Sequence, residues 1–135
     1  MEFMERTLVF LKPDAVKRKL IGEILTRFEK RDLKIADMKM MTMTKELAKE
    51  HYGHVSHESI YGDMIEFITS GPIVAIIIEG ENVIKIVRSM LGNRKTYDSP
   101  PGTIRGDLGS HDFENLIHAS DSIRNAEVEI ERFFN

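Results

Sequence analysis

The order of apolar segments in this sequence predicts an α+β fold of the split βαβ, ferredoxin-like type, with helices packed on a four-stranded antiparallel sheet. Apolar runs of strand length alternate with segments of helical periodicity in the order β-α-β-α-α-β-α-loop-β-α. With the two adjacent middle helices counted as one connection, this is the split βαβ order. The 135 residues contain no internal repeat and no linker, so residues 1–135 are predicted to form a single domain.

The first half of the chain contains two of the predicted strands. Residues 6–11 form an apolar run that a proline ends. Residues 20–31 carry apolar side chains at helical spacing. Residues 33–43 alternate in part, but the alternation slips after Ile35 and again at Met40. This pattern predicts a strand with a bulge.

Two helices and the third strand follow. Thr44 is a candidate N-cap for a helix over Lys45–His51, and a second helix over residues 60–69 ends at Ser-Gly-Pro. Residues 73–78 are apolar throughout and mostly β-branched. Such a run is typical of a strand buried on both faces, and Gly80 is expected to end it.

The last third of the chain places a long loop between a helix and a short strand. Residues 82–91 have helical periodicity, whereas residues 92–115 contain two of the four prolines and four of the nine glycines. A structureless loop of that length in a small domain is usually functional. Residues 116–118 are predicted to form the fourth strand, and a stripe of apolar positions from Ile123 to Phe134 predicts the last helix.

Composition and charge exclude several classes of protein. The formal net charge of −3 disfavours nucleic acid as the main partner, because that role usually needs a basic surface. The chain has no cysteine, which excludes disulfides, thiolate zinc sites and a cysteine nucleophile. No apolar run reaches the roughly 20 residues that span a bilayer, and residues 1–6 lack the layout of a signal peptide. We expect a cytoplasmic protein with no membrane partner.

His118 is the strongest candidate for chemistry. It closes the predicted fourth strand and is followed by Ser-Asp-Ser at the start of the last helix, where free N–H groups favour anions. A neutral imidazole is a good nucleophile when an acceptor holds its other nitrogen. Glu127 and Glu129 flank the apolar stripe of the last helix on opposite sides, and periodicity does not choose between them. A structural, hydrogen-bonded histidine fits this local pattern equally well.

Three basic residues lie where they could converge on one anion. Lys12 follows the first strand, Arg88 lies on the helix that leads into the long loop, and Arg105 lies within the loop sequence Pro-Pro-Gly-Thr-Ile-Arg-Gly-Asp. Glycines let a backbone approach a ligand closely, and a guanidinium fork matches phosphate oxygens. Taken singly, each is an ordinary solvated cation. Together with His118 they predict a phosphate site.

Four stretches resemble the signatures of the nucleoside diphosphate kinase family, in that family's order and across nearly the whole chain. They are Arg-Thr-Leu-Val-Phe-Leu-Lys-Pro-Asp at residues 6–14, Phe-Ile-Thr-Ser-Gly-Pro at 67–72, Pro-Gly-Thr-Ile-Arg-Gly-Asp at 101–107 and Asn-Leu-Ile-His-Ala-Ser-Asp at 115–121. The last two together are highly specific. The resemblance implies an enzyme that moves the γ-phosphate of a nucleoside triphosphate, mainly ATP, to nucleoside diphosphates. It also implies a ping-pong mechanism through phosphohistidine, broad base specificity and a long loop that binds the nucleotide.

The resemblance implies roles for individual residues. His118 would carry the phosphate, Glu129 would orient it, and Ser120 would support this pair. Tyr52 would place its hydroxyl near the transferred phosphate. The positions expected to contact the nucleotide are Lys12, Ile60, Arg88, Arg94, Arg105 and Asn115. Mg²⁺ would be carried by the nucleotide phosphates. The protein would provide no direct ligand, and its only contact with the ion would be an indirect one through Asp121. The chain would assemble as a homohexamer or homotetramer built from dimers.

Several positions depart from the family pattern. Ile60 stands where a phenylalanine usually stacks on the base, and Asp112 stands where a second apolar contact is common. Lost stacking costs on the order of 1 kcal/mol, so we expect weak base binding with little discrimination. Arg94 stands where the family has a phosphate-binding threonine. It either supplies a charged donor instead, which we expect, or faces solvent. Four histidines are expected to be ordinary helix-surface residues and not a metal cluster, namely His51, His54, His57 and His111.

Two other classes of function were weighed against the enzyme. A non-catalytic nucleotide-binding protein could use the same fold, since a fold does not fix a function. Such a binder has no need of His118 together with Glu129, and both are present. Nucleic-acid binding is disfavoured by the net charge and by the lack of an obvious aromatic pair on a strand. The sequence therefore favours the phosphotransferase.

Overall fold

The computed structural model describes residues 4–135, so the expectation about a signal peptide at residues 1–6 falls partly outside the described residues. The chain forms one four-stranded sheet in the order β2-β3-β1-β4, and every neighbouring pair is antiparallel. The strands are β1 (Met4–Leu11), β2 (Lys34–Met41), β3 (Ile73–Glu81) and β4 (Ile117–Ala119). The predicted α+β fold with a split βαβ sheet is confirmed.

Residues 4–135 also contain seven helices. They are α1 (Pro13–Lys17), α2 (Ile21–Lys30), α3 (Lys45–His51), α4 (Tyr61–Ile68), α5 (Val83–Leu91), α6 (Ile104–Leu108) and α7 (Ile123–Phe134), with single 3-10 turns at Gly53–Val55 and Thr96–Asp98. Thr44 caps α3 as predicted, because its hydroxyl accepts a hydrogen bond from the Leu47 N–H at 3.1 Å. In the part of the chain that the structure describes, no helix is both long and apolar enough to cross a membrane.

The central strand β1 divides the core into two layers. Val9 and Leu11 pack into one cluster with residues of α2 and α5, whereas Leu8 and Phe10 pack into the other with residues of α3, α4 and α7. Residues Leu8 to Leu11 are all fully buried. A strand covered on both faces reads as a continuous apolar run because alternate side chains enter different apolar layers.

Two element predictions were wrong. The proline expected to end the first strand does lie beyond β1, and it begins α1, because a residue without an N–H is well suited to the first helical turn. Gly80 does not end β3, since it pairs with Glu5 and the strand continues to Glu81. The segment 92–115 is not structureless: it holds a 3-10 turn and α6, whose N-cap Thr103 accepts a hydrogen bond from the backbone of Gly106.

The predicted bulge in β2 lies where the alternation first slips. The register of β2 against β3 shifts between Ile35 and Asp37, and the extra residue there restores the pairing farther along. The second slip, at Met40, produces no irregularity, since Met40 and Met41 pair regularly with Val74 and Ile73. Because β2 is an edge strand with an exposed face, no core packing forces strict alternation there.

Candidate active site

The ring of His118 is held by a glutamate from the last helix. β4 pairs with β1 so that His118 lies opposite Phe10, and the Nε2 atom of His118 is 2.7 Å from Oε1 of Glu129. Of the two glutamates that periodicity left open, Glu129 is therefore the one in contact. The hydroxyl of Ser120 donates to the same carboxylate oxygen at 2.8 Å. Because a carboxylate only accepts, Nε2 of His118 carries the proton and Nδ1 keeps its lone pair.

Aromatic rings pack around His118. Phe10 stacks on it with ring centroids 4.7 Å apart and an interplanar angle of 24°, and His51 meets it edge-on at 4.6 Å and 87°. Burial lowers the pKa of His118 below its usual value, while the hydrogen bond to Glu129 opposes that shift. Burial outweighs the glutamate, so the imidazole is neutral at neutral pH and available as a nucleophile.

A left-handed residue precedes β4, the strand that carries His118. Leu116 has φ of +77°, and the N–H of Ile117 donates to the carbonyl of Asn115 at 2.9 Å to close a three-residue turn. The backbone groups of Leu116 are both occupied: its N–H donates to the Asp14 carboxylate at 3.1 Å, and its carbonyl accepts from the Lys12 N–H at 2.8 Å. Such a conformation costs about 1–3 kcal/mol in a non-glycine residue, and these contacts hold it.

Lys12 is a buried cation beside the histidine. Its Nζ donates to Oδ1 of Asn115 at 2.7 Å and to the carbonyl of Phe113 at 3.3 Å, which leaves one of three donors free. Burial, and then the neighbouring guanidinium of Arg105, lower the pKa of Lys12 to about 7. The site therefore contains a lysine that is close to losing its proton and that an anionic ligand would recharge.

Arg105 joins the long loop to β4 and to the residue two positions before it. Its guanidinium donates to three backbone carbonyls, those of Asn93, Asn115 and Ile117. Burial, and then the charge of Arg88, lower its pKa to about 10. Because a guanidinium has five N–H groups, two remain for a ligand. Arg105 both orders the loop and faces the cleft.

Three further predicted residues line the cleft that Lys12, Arg105 and His118 also line. The Arg88 guanidinium donates to the carbonyl of Ala119 at 3.1 Å, one residue beyond the histidine. Burial, and then the charge of Glu129, raise the pKa of Tyr52, so its hydroxyl stays protonated and can donate. The Asp121 carboxylate accepts from the Asn125 amide at 2.6 Å, and this bond holds the pKa of Asp121 below its usual value.

A cleft of about 780 Å³ brings most of the predicted site residues together. Its lining includes Lys12, Tyr52, Arg88, Arg94, Arg105, Asn115, His118, Asp121 and Glu129. Ser120 lies behind this surface, where it bonds Glu129. Ile60 is not in this cleft: it lines a neighbouring cavity of about 570 Å³ with Asp112. Arg94 and Phe113 line both spaces, so the two are contiguous.

Arg94 occupies the border between the two cavities. Its guanidinium is 3.4 Å from the carboxylate of Glu58, and its backbone carbonyl accepts from the Asn115 amide at 2.9 Å. The side chain is 69% exposed, and such an exposed pair contributes little to stability. The guanidinium is therefore tethered at the mouth but free to turn towards an anionic ligand.

Comparison with known proteins identifies this arrangement. The family model for nucleoside diphosphate kinase matches residues 5–135. The chain belongs to the nucleoside diphosphate kinase family. The nucleoside diphosphate kinase of Acetivibrio thermocellus is 61% identical over 131 residues, which cover 97% of this chain and 96% of that protein. That of Methanococcus maripaludis is 53% identical over 131 residues, which cover 97% of this chain and 98% of that protein.

Solved structures agree with the family. A halophilic nucleoside diphosphate kinase from Halobacterium salinarum, solved in complex with CDP, matches with a TM-score of 0.95 and 43% identity over 98% of this chain and 89% of that one. The Aquifex aeolicus nucleoside diphosphate kinase matches with a TM-score of 0.94 and 38% identity over 98% of this chain and 96% of that one. The chain is thus a phosphotransferase that moves phosphate between nucleotides.

Sequence reasoning overlooked three residues of this nucleoside diphosphate kinase site. Phe10 stacks on His118, Asp14 holds the turn before it, and His51 packs against it. Pairing β1 with β4 would have found Phe10, because their register places it opposite His118. The expectation that His51 is a surface residue is wrong, since it is 5% exposed. A seven-residue helix is too short for its apolar periodicity to show which face is buried.

Among the described residues, His51 alone of the four histidines named above belongs to a group with metal-compatible spacing. Within residues 4–135, the one group with metal-compatible spacing is His51, His118 and Glu129, whose ligand atoms lie within 4.8 Å of one another. Hydrogen bonds already occupy these groups: Glu129 engages Nε2 of His118, and Arg132 engages Nδ1 of His51. The neighbouring cations would also repel a divalent ion. The grouping is better explained by hydrogen bonding around the reacting histidine.

Proposed function

We propose that this chain transfers the γ-phosphate of a nucleoside triphosphate, mainly ATP, to nucleoside diphosphates by a ping-pong mechanism through phosphohistidine at His118, with broad base specificity. The observation that carries the proposal is the 2.7 Å contact between Nε2 of His118 and Glu129, in a cleft lined by three cations. That contact leaves Nδ1 as the nitrogen that can attack. Family membership supplies the reaction class.

His118 keeps its Nε2 proton in both halves of the reaction. The Nδ1 lone pair of His118 attacks the γ-phosphorus, the bond from that phosphorus to the bridging oxygen breaks, and the diphosphate leaves with the electron pair. The imidazole then carries positive charge, which the carboxylate of Glu129 stabilises. In the second half, a terminal oxygen of another diphosphate attacks the same phosphorus and the N–P bond breaks. The histidine returns to its neutral form.

The cations and the phenol would act on the phosphates. Phosphoryl transfer depends mostly on in-line positioning and on compensation of negative charge. Lys12, Arg88 and Arg105 each retain N–H donors beside the cleft, and the Tyr52 hydroxyl stays protonated. We assign these four to the transferred and leaving phosphates, and Asn115 to the positioning of Lys12.

Mg²⁺ is the proposed cofactor, carried by the nucleotide phosphates. The donor chemistry fits, because Asp121 borders the cleft with a carboxylate that stays ionised, and magnesium prefers oxygen ligands and retains water. When bound, the ion would offset the negative charge of the phosphates. Asp121 would contact it through that hydration shell.

The nucleobase would occupy the second cavity. Its contiguity with the cleft through Arg94 and Phe113 supports phosphates at His118 and the base near Ile60 and Asp112. Isoleucine offers dispersion contact but no ring stacking, which supports weak binding of every base. Initial rates with ADP, GDP, CDP and UDP should therefore differ little, and a strong preference for one of them would contradict broad specificity.

A cytoplasmic homo-oligomer built from dimers is proposed for the assembly. The edge strand β2 supports it, because Met38 and Met40 are 47% and 59% exposed on its face. Methionine is common at adaptable binding surfaces. Light scattering would distinguish a hexamer, a tetramer and a monomer.

The central test is labelling with γ-³²P-ATP in the absence of acceptor. We expect acid-labile, alkali-stable label on a peptide that contains His118, and release of that label when unlabelled diphosphate is added. The His118→Gln variant, which keeps a polar side chain, should take up none. Turnover by the wild type without label at His118 would refute the phosphohistidine mechanism, as would full activity of His118→Gln.

A further inference from the structure

His51, which is buried, and Arg132, which is partly buried, form a pair behind the reacting histidine. His51 is the last residue of α3, and Arg132 lies on α7, the helix that also carries Glu129. The Nη1 atom of Arg132 is 2.9 Å from Nδ1 of His51. At its other side, Nε of Arg132 is 3.6 Å from the Glu50 carboxylate. The pair therefore connects two helices across the back of the site.

The contact decides where the proton of His51 lies. A guanidinium is always charged and only donates, so Nδ1 of His51 must accept and the ring proton must be on Nε2. Burial, and then the positive charges of protonated His118, Arg132, His54 and Lys12, lower the pKa of His51 to about 2. His51 is thus a neutral ring with one fixed tautomer.

The same ring lies within reach of the reacting pair. His51 meets His118 edge-on with centroids 4.6 Å apart, and Phe10 contacts both rings. One nitrogen from each histidine and one oxygen of Glu129 lie within 4.8 Å of one another. A His51 ring released by Arg132 would be free to turn about its Cβ–Cγ bond and to point an N–H donor at Glu129. That donor would compete with Nε2–H of His118 for the carboxylate.

We infer that Arg132 is a positioning residue: it fixes the tautomer and orientation of His51, so that Glu129 remains committed to His118 and Nδ1 of His118 remains the attacking nitrogen. This inference rests on the proposed phosphohistidine mechanism. Arg132 touches neither nucleotide nor phosphate in this scheme. It acts through His51. Loss of its hydrogen bond to His51 would lower the fraction of His118 that is in the reactive tautomer.

Three variants and a control separate this role from simple packing. Arg132→Leu removes the donor, whereas Arg132→Gln keeps an amide donor and Arg132→Lys keeps a charged one. Arg124→Leu is the matched control, because Arg124 is an exposed arginine on the same helix. Two measurements are made on each protein: ¹⁵N NMR of the imidazole nitrogens, and the single-turnover rate of His118 phosphorylation by γ-labelled ATP over a range of ATP concentrations.

The wild type should show an unprotonated Nδ1 and a protonated Nε2 for His51 throughout pH 5–8. In Arg132→Leu, the His51 tautomers should mix, and the maximal phosphorylation rate should fall roughly tenfold, the size expected for one hydrogen bond to a charged group. The ATP concentration for half-maximal rate should not change. Arg132→Gln or Arg132→Lys should recover most of the rate, and Arg124→Leu should match the wild type.

A wild-type rate in Arg132→Leu overturns the inference, and so does a lower rate with an unchanged His51 tautomer. If Arg132→Leu does not fold, Arg132→Met, which keeps an unbranched stem but has no donor, takes its place with the same expected and overturning results. Failure of the proposed function is a separate result: wild-type His118 would then take up no label, although the tautomer of His51 could still be measured.

Discussion

Nucleotide binding should take up a proton at Lys12. Burial lowers the pKa of this lysine to about 7, and a phosphate beside its free donor would favour the charged form again. With that pKa, about half of the lysine is neutral at pH 7 and about nine-tenths at pH 8. Each nucleotide bound should therefore take up about 0.5 proton at pH 7 and about 0.9 at pH 8, and affinity should fall towards tenfold per pH unit above 7.

Isothermal titration calorimetry with Mg-ADP measures this directly. Titrations at pH 8 in two buffers of different ionisation enthalpy give the number of protons taken up, and a series from pH 6 to 9 gives the slope of the affinity. Lys12→Gln is the control, because it removes the titrating group while it keeps a donor for Asn115. Equal proton uptake by the two proteins at pH 8, or an affinity that is flat between pH 7 and 9, would refute the reasoning.

Three other substitutions have defined outcomes. Ser120→Ala removes one donor to the catalytic glutamate and should lower kcat several-fold, with a stability loss of about 1 kcal/mol by urea unfolding. Gly106→Ala would place a Cβ atom 1.9 Å from the Pro100 carbonyl oxygen and should destabilise by about 1–3 kcal/mol or more, whereas Gly62→Ala, with nothing within 4 Å, should be neutral or slightly stabilising. Arg94→Ala should raise the nucleotide KM if the guanidinium reaches phosphate; an unchanged KM in steady-state assays would restrict it to its exposed ion pair.

The strands could be predicted because a strand that is buried on both faces consists of apolar residues. The run at residues 73–78 is apolar at every position since β3 is covered on both faces, and the slip after Ile35 marks a real bulge. Helix α6 was missed because five residues give too little periodicity, and its capping threonine lies in a segment rich in glycine and proline. Short elements are fixed by tertiary contacts, here by Arg105 and its three carbonyl partners.

The sequence named most of the residues that line the cleft, but it did not give their geometry. Helical periodicity placed both Glu127 and Glu129 beside the apolar stripe, and the rotation of α7 that brings Glu129 to His118 depends on packing of Phe133 against Phe10. No local pattern encodes that contact, which joins residues more than a hundred positions apart. The same holds for His51, whose burial depends on α7 and β1 and not on its own helix.

The left-handed turn at Leu116 links the lifetime of the site to that of the sheet. Its amide and carbonyl are held by Asp14 and Lys12, which follow directly on the central strand. The turn therefore cannot persist once β4 separates from β1, and the histidine loses its place at the same moment. Native-state hydrogen exchange should show the amides of Leu116 and Lys12 opening together, as one cooperative unit with the free energy of the core strands. An enzyme built this way has no partly assembled nucleophile to expose to water.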